Sequence, residues 1–180
     1  MDCSGTCVEQ NQAVQARISD NAKLLEQGLA LLAELSNDDF AAISPLGASV
    51  GGHFRHILDF YACFLKGISA STIDYDQRER DSGVESSREL CLQAARTLLA
   101  GLQALSLSAE TALRVKAEAS APALFAISSV ERELQFLSAH TVHHFALISY
   151  VLTERGLKVP AGFGMAPSTL EHLRTESLAG

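Results

Sequence analysis

Five of the chain's histidines fall into two short clusters, His53 with His56 and His140 with His143 and His144. Imidazole is the commonest side-chain ligand for divalent metals near neutral pH. The denser cluster, His140-Thr141-Val142-His143-His144, lies inside the run QFLSAHTVHHFALISYVL. His140 and His144 stand one helical turn apart, so on a helix both rings leave the same face and can close on one ion. Leu137, Leu147, Ile148 and Val151 share that stripe, which predicts that the pair points into a core, where an unpartnered polar ring is costly. A stable divalent centre recruits at least three protein ligands, so a third must come from elsewhere. His53 and His56 of SVGGHFRHILDFYACFLKGI offer it. Three imidazoles leave a coordination position open. A metal there lowers the pKa of a bound water or thiol and polarises an incoming oxygen, chemistry that serves hydrolysis or thiol transfer. Any single histidine taken alone is better explained as a satisfied core or surface group. Two tight clusters favour the metal, although H-x-x-x-H lacks the glutamate of a zincin.

The elements that must position these residues are helical. VQARISDNAKLLEQGLALLAEL, with Val14, Ile18, Ala22, Leu25, Leu29 and Leu32 at three- and four-residue steps, predicts a first helix from about Val8 to Leu35. A second begins after an N-cap at Ser49 and ends near Gly67 or Ser69, with Ile57, Phe60, Phe64 and Ile68 on one face. The segment STIDYDQRERDSGVESS then reads as a long polar connection. A third helix starts at Ser86 or Ser87 and runs through Leu90, Ala94, Thr97, Leu98, Gly101 and Leu105. Ala112 to Ala119 alternates, Ser120-Ala121-Pro122 turns, and Ala123 to Ser128 is a short apolar run, together predicting a small β-hairpin or irregular crossover. Ser128 or Ser129 caps a fourth helix that reaches about Glu154 and stops at Gly156. One all-α domain over 1–180, a four-helix bundle, is the simplest architecture. Residues 1–7 read as a disordered tail and 157–180 as a loop-like tail across the bundle.

Composition agrees. Hydrophobic residues make up 47% of the chain, with only 4 prolines in 180 residues, which favours a helical globular protein. The net charge of -7 (14 Lys+Arg against 21 Asp+Glu) and the lack of any Lys/Arg run argue against nucleic-acid binding. The N-terminal MDCSGTCVEQ has no basic region followed by an apolar run, and no stretch reaches membrane-spanning length, so a cytoplasmic protein is expected. The four cysteines, Cys3, Cys7, Cys63 and Cys91, show no paired zinc spacing and are expected as free thiols, with Cys63 buried.

Periodicity places His53 closer than His56 to the apolar centre of the second helix, and so mildly favours His53 as the third ligand. Against this, His56-Ile57-Leu58-Asp59 and the pair His140 and His144 resemble the metal motifs of the DinB/YfiT-like superfamily. There a His-x-x-Asp/Glu on the second helix joins a His-x-x-x-His on the last long helix. The resemblance covers almost the whole chain, through SVGGHFRHILDF, DYDQRERD, ELQFLSAHTVHHFALI and FGMAPSTL. It implies His56, His140 and His144 as ligands, with Asp59 as a partner that orients an imidazole. His53 and His143 are then flanking groups, each an alternative ligand or a proton shuttle. Many relatives carry an arginine and a glycine just after the last ligand where this chain has Phe145 and Ala146, so a substrate role tied to those residues does not carry over.

The superfamily's characterised relatives resemble thiol-dependent transferases and isomerases using low-molecular-weight thiols, and a similar domain supplies iron ligands in sulfoxide synthases of ergothioneine biosynthesis. The expectation is a metal-dependent hydrolase or thiol S-transferase on a small molecule, with zinc or nickel foremost and iron or manganese as alternatives. The rival is a non-catalytic metal-stabilised bundle acting as a binding module or homodimer. Tyr75, Arg78 and Arg80, in the polar connection, are candidates to hold an anionic substrate over the metal mouth, against a solvated connection with internal ion pairs. Gly162-Phe163-Gly164 either covers the pocket or packs the tail. His172 is expected to be exposed.

Overall fold

In the computed structural model residues 3–45, 47–107, 111–116 and 124–179 are described. Helix α1 (Cys3–Glu34) buries Val14, Ile18, Ala22, Leu25 and Leu32, the stripe its spacing predicts. It starts at Cys3, inside the segment expected as a tail, while Met1 and Asp2 lie outside the described residues. Ser36 accepts from the Asp39 amide to open the short α2 (Asn37–Ala41), whose Phe40 is fully buried. Ser49 accepts from the Gly52 amide and opens α3 (Val50–Ile68), as its sequence predicts.

The polar connection is more structured than expected. Its aliphatic Ile73 is fully buried in β1 (Thr72–Asp74), and Asp81 caps α4 (Ser82–Ser86). A Cβ at Gly67 would lie 2.5 Å from the Thr72 carbonyl oxygen, so glycine allows β1 to close against the end of α3. Ser87 caps α5 (Arg88–Gln103), which buries Cys91, Ala95 and Leu102 and leaves Leu90 46% exposed. Its inward face is therefore turned by about one residue, or about 100°, from the face through Leu90 and Ala94 read in the sequence.

Strands β2 (Ala112–Lys116) and β3 (Ala126–Ser129) pair antiparallel, Leu113 opposite Ser128, which realises the hairpin alternative. The expected turn at Ser120-Ala121-Pro122 lies outside the described residues. β1 pairs parallel with β2, giving a three-stranded sheet of order β1-β2-β3. The molecule is thus mostly helical rather than purely all-α. Ser129 caps α6 (Val130–Glu154) by accepting from the Arg132 amide.

α1 packs against α5 and α6, and α3 packs against the same two helices, so the four long helices enclose the core. The C-terminal segment is not simply a loop, because α7 (Pro167–Ala179) follows the turns at Gly162 and Gly164, with proline at the first helical position where its missing N–H costs nothing. No helix of the described residues is long and apolar enough to cross a membrane.

Candidate metal centre

The rotation of α6 against α3 is fixed by a buried polar network. Tyr61 donates to Asn21 Oδ1 at 2.7 Å, and Asn21 Nδ2 donates to the carbonyls of Arg17 at 2.8 Å and Leu134 at 2.9 Å. The Thr141 hydroxyl, 2.7 Å from the Leu137 carbonyl and 3.2 Å from the Tyr61 oxygen, completes it. With Thr141, Leu137, Phe145 and Ile148 buried inward, His140 and His144 fall on the shoulder of the stripe and are only half-buried. The sequence spacing puts them on the stripe itself, pointing into the core. The shoulder position suits a site that must admit a ligand from outside.

At that shoulder three imidazoles converge. His56 Nε2 lies 3.2 Å from His140 Nε2, which lies 3.0 Å from His144 Nε2. His56, His140 and His144 form a group able to hold a metal ion, with ligand atoms within 4.8 Å of one another. Nitrogens on a tetrahedral zinc ion, at about 2.0–2.1 Å from the metal, are about 3.3 Å apart, so the donor set fits such an ion. A proton can bridge only two of these nitrogens at a time, whereas one cation at their focus takes all three lone pairs. Burial first, then the neighbouring imidazoles His140, His56, His53 and His143, push the pKa of His144 down to about 3, so it is a neutral ring at physiological pH.

The other predicted residues fall around this focus. His53 is buried and sets its Nδ1 3.1 Å from His144 Nδ1; burial foremost, then His143, lowers its pKa. His143 is exposed, its ring 5.1 Å from that of His144. The Asp59 carboxylate engages Arg55 at 3.1 Å, and Arg55 also reaches Glu85 at 3.1 Å, so this carboxylate holds a guanidinium across α3 and α4. Arg78 lies over the Phe60 ring at 4.9 Å, and Phe60 packs edge-on against His140 at 4.2 Å. Arg80 is exposed, with its backbone in the left-handed region at φ 50°. Lys116 of β2 pairs with Asp76 at 2.9 Å and Asp74 at 3.7 Å, so the acidic side chains of the connection are tied to the sheet.

Tyr75 is buried, stacked on Phe60, and donates to Glu133 Oε2 at 2.9 Å. Glu133, itself buried, also accepts from Ser128 and lies 3.4 Å from Arg132. This carboxylate went unnoticed in the sequence, where it reads as one more charge in the first turn of α6. Phe60, Tyr75 and Phe136 line a cleft of about 580 Å³ with Arg132, Glu133 and the hairpin residues Leu124 and Ile127. Phe136 stacks on His140 with centroids 5.6 Å apart, so the cleft adjoins the imidazoles.

The tail packs onto α6. Phe163 stacks on Phe145 at 4.3 Å, and Gly164 (φ +76°) lies so close that a Cβ would come within 2.7 Å of the Ala146 amide nitrogen. Phe145 and Ala146 therefore dock the tail. Cys63 and Cys91 are buried free thiols; burial, then the Asp59 carboxylate, raises the pKa of Cys63, and burial pushes Cys91 up to about 12. His172 is exposed on α7.

Comparison with known proteins gives the family of the chain. Over 111 residues, 59% of the chain, it is 33% identical to FK506-binding protein 5 of Rhizopus delemar, and the match covers 29% of that protein. The chain therefore spans less than a third of the length of that relative. The family model of the DinB superfamily matches residues 23–148, which takes in α3 and both histidine clusters, and this chain belongs to the DinB superfamily.

Proposed function

We propose that the protein is a small metal-dependent enzyme, with a divalent ion held by His56, His140 and His144 on a four-helix bundle of the DinB/YfiT type. The convergence of three imidazole Nε2 atoms, at 3.0 and 3.2 Å along the chain of contacts, carries the proposal. When bound, such an ion acts as a Lewis acid that acidifies a water or thiol and polarises a substrate oxygen. An all-imidazole donor set suits zinc or nickel.

The residues around it suit a small-molecule substrate acted on by hydrolysis or thiol transfer. The cleft of about 580 Å³ beside His140 lies within the usual range of about 300–1,000 Å³ for such sites. Its aromatic walls exclude water from one side of the imidazoles, and Arg132 offers a guanidinium to an anionic group. His143, exposed next to His144, is placed to move a proton. Cys63 and Cys91 are buried with their thiols held protonated, which favours a transferred thiol that arrives as a low-molecular-weight cosubstrate.

A closed structural centre would draw in a fourth protein ligand. His53 instead directs Nδ1 to His144 Nδ1, and His143 is exposed, which favours an open position and hence catalysis. The test is a screen of electrophiles with small thiols, and of small esters and amides, with zinc- and nickel-loaded protein. Turnover that disappears on chelation and returns with the metal is expected; activity indifferent to chelation contradicts the proposal.

A further inference from the structure

We infer that His53 sets the tautomer and orientation of His144, acting on the metal centre through a ligand and not as one; this rests on the ligand assignment proposed above. α3 and α6 present their histidines to each other as two rungs. His56 meets His140 through Nε2 atoms at 3.2 Å, and His53 meets His144 through Nδ1 atoms at 3.1 Å. The nitrogens differ between rungs. His144 turns its Nε2 toward His140 Nε2 at 3.0 Å and its Nδ1 toward His53, so its two nitrogens serve different neighbours.

Proton positions follow. An imidazole that gives the Nε2 lone pair to a metal keeps its proton on Nδ1. The Nδ1–H of His144 then donates to His53 Nδ1, which has to be the acceptor. His53 is thereby fixed as the Nε2–H tautomer, with its Nδ1 lone pair already used. Its Nε2 atom is buried without a hydrogen-bond partner among the described residues. Buried donors of that kind are uncommon and call for a reason. Here the reason is that the opposite nitrogen is needed by His144. The ring is 9% exposed and tilted 48° from that of His144, so packing on α3 holds it in place.

Metal-binding histidines most often rest on a carboxylate, a carbonyl or a water. Asp59, the carboxylate nearest in sequence to His56, is taken by Arg55. A neutral imidazole acceptor orients His144 without bringing a negative charge toward the ion, so the ion retains more of its Lewis acidity.

The test compares wild type, His53→Leu and His53→Asn, because the asparagine oxygen can accept near the Nδ1 position and leucine cannot. Zinc affinity is read by competition with a chromophoric chelator, and geometry by the visible absorption of the cobalt(II) protein. Expected are a loss of roughly 10–100-fold in affinity for His53→Leu with an altered cobalt spectrum, substantial recovery of both in His53→Asn, and unchanged metal stoichiometry in each. Unaltered affinity and spectrum in His53→Leu overturn the inference alone. Loss of the ion from both variants makes His53 a ligand and also overturns it. Wild-type protein that takes up neither ion overturns the ligand assignment and the inference with it.

Discussion

Between α3 and α6, Tyr61 and Thr141 meet in a buried cluster with Asn21 of α1, while beside it His56, His140 and His144 meet in a half-buried one. In the first cluster unlike groups are matched. A phenol O–H meets an amide oxygen, and the amide N–H₂ meets two carbonyls, so the network is satisfied from within. In the second, like nitrogens are gathered at one point, an arrangement that protons satisfy only pair by pair. The difference separates a polar cluster that specifies packing from one able to hold a cation. Adjacent positions on one helix, Thr141 and His140, belong to opposite kinds.

The largest effect expected from breaking the first cluster comes from Tyr61→Phe. It leaves Asn21 Oδ1 without its donor in the core, at a cost of about 1–3 kcal/mol. Urea unfolding should show that loss, and the metal content should not change. A Tyr61→Phe variant as stable as wild type would show that the network does not hold α6 in place.

Acid should act on the second cluster, through His144 and the neighbouring ring of His53. His53 and His144 both titrate below the ordinary imidazole value of 6.5, His144 at about 3, in each case through burial foremost. Between those values the unfolded chain binds protons that the folded one does not, so stability is complete above pH 6.5 and is lost as pH falls toward 3. Metal-free protein followed by urea unfolding across that window should show the decline, and His144→Phe should flatten it. An unchanged slope would mean that His144 is not the neutral, half-buried ring described.

The smallest effect concerns a histidine outside both clusters. His172 is exposed on α7 and 3.4 Å from Glu176, so His172→Ala should change stability by no more than about 0.5 kcal/mol and leave metal content intact. A drop in bound metal in that variant would draw α7 into the site.

Much of this contrast was legible in the sequence, and the parts that were not share a cause. The long helices follow from three- and four-residue spacing and from Ser49, Ser87 and Ser129, because periodicity and capping are local. β1 escaped because Ile73 is one aliphatic residue in a charged run, and its strand exists only by pairing with β2, about forty residues on. The histidine clusters announce themselves by type and spacing. Which nitrogen each ring uses, and that His53 faces His144 while Asp59 faces Arg55, depends on how α3 sits against its neighbours. Asn21, Tyr61 and Thr141 gave no signal, since each is a common residue whose role arises only where three helices meet.

The central claim is tested most directly by metal analysis of protein purified without added metal, for wild type and for His56→Ala, His140→Ala, His144→Ala and His143→Ala. The account predicts one divalent ion per chain in wild type and in His143→Ala, and its loss in each of the other three. Unchanged metal content in those three variants would contradict it.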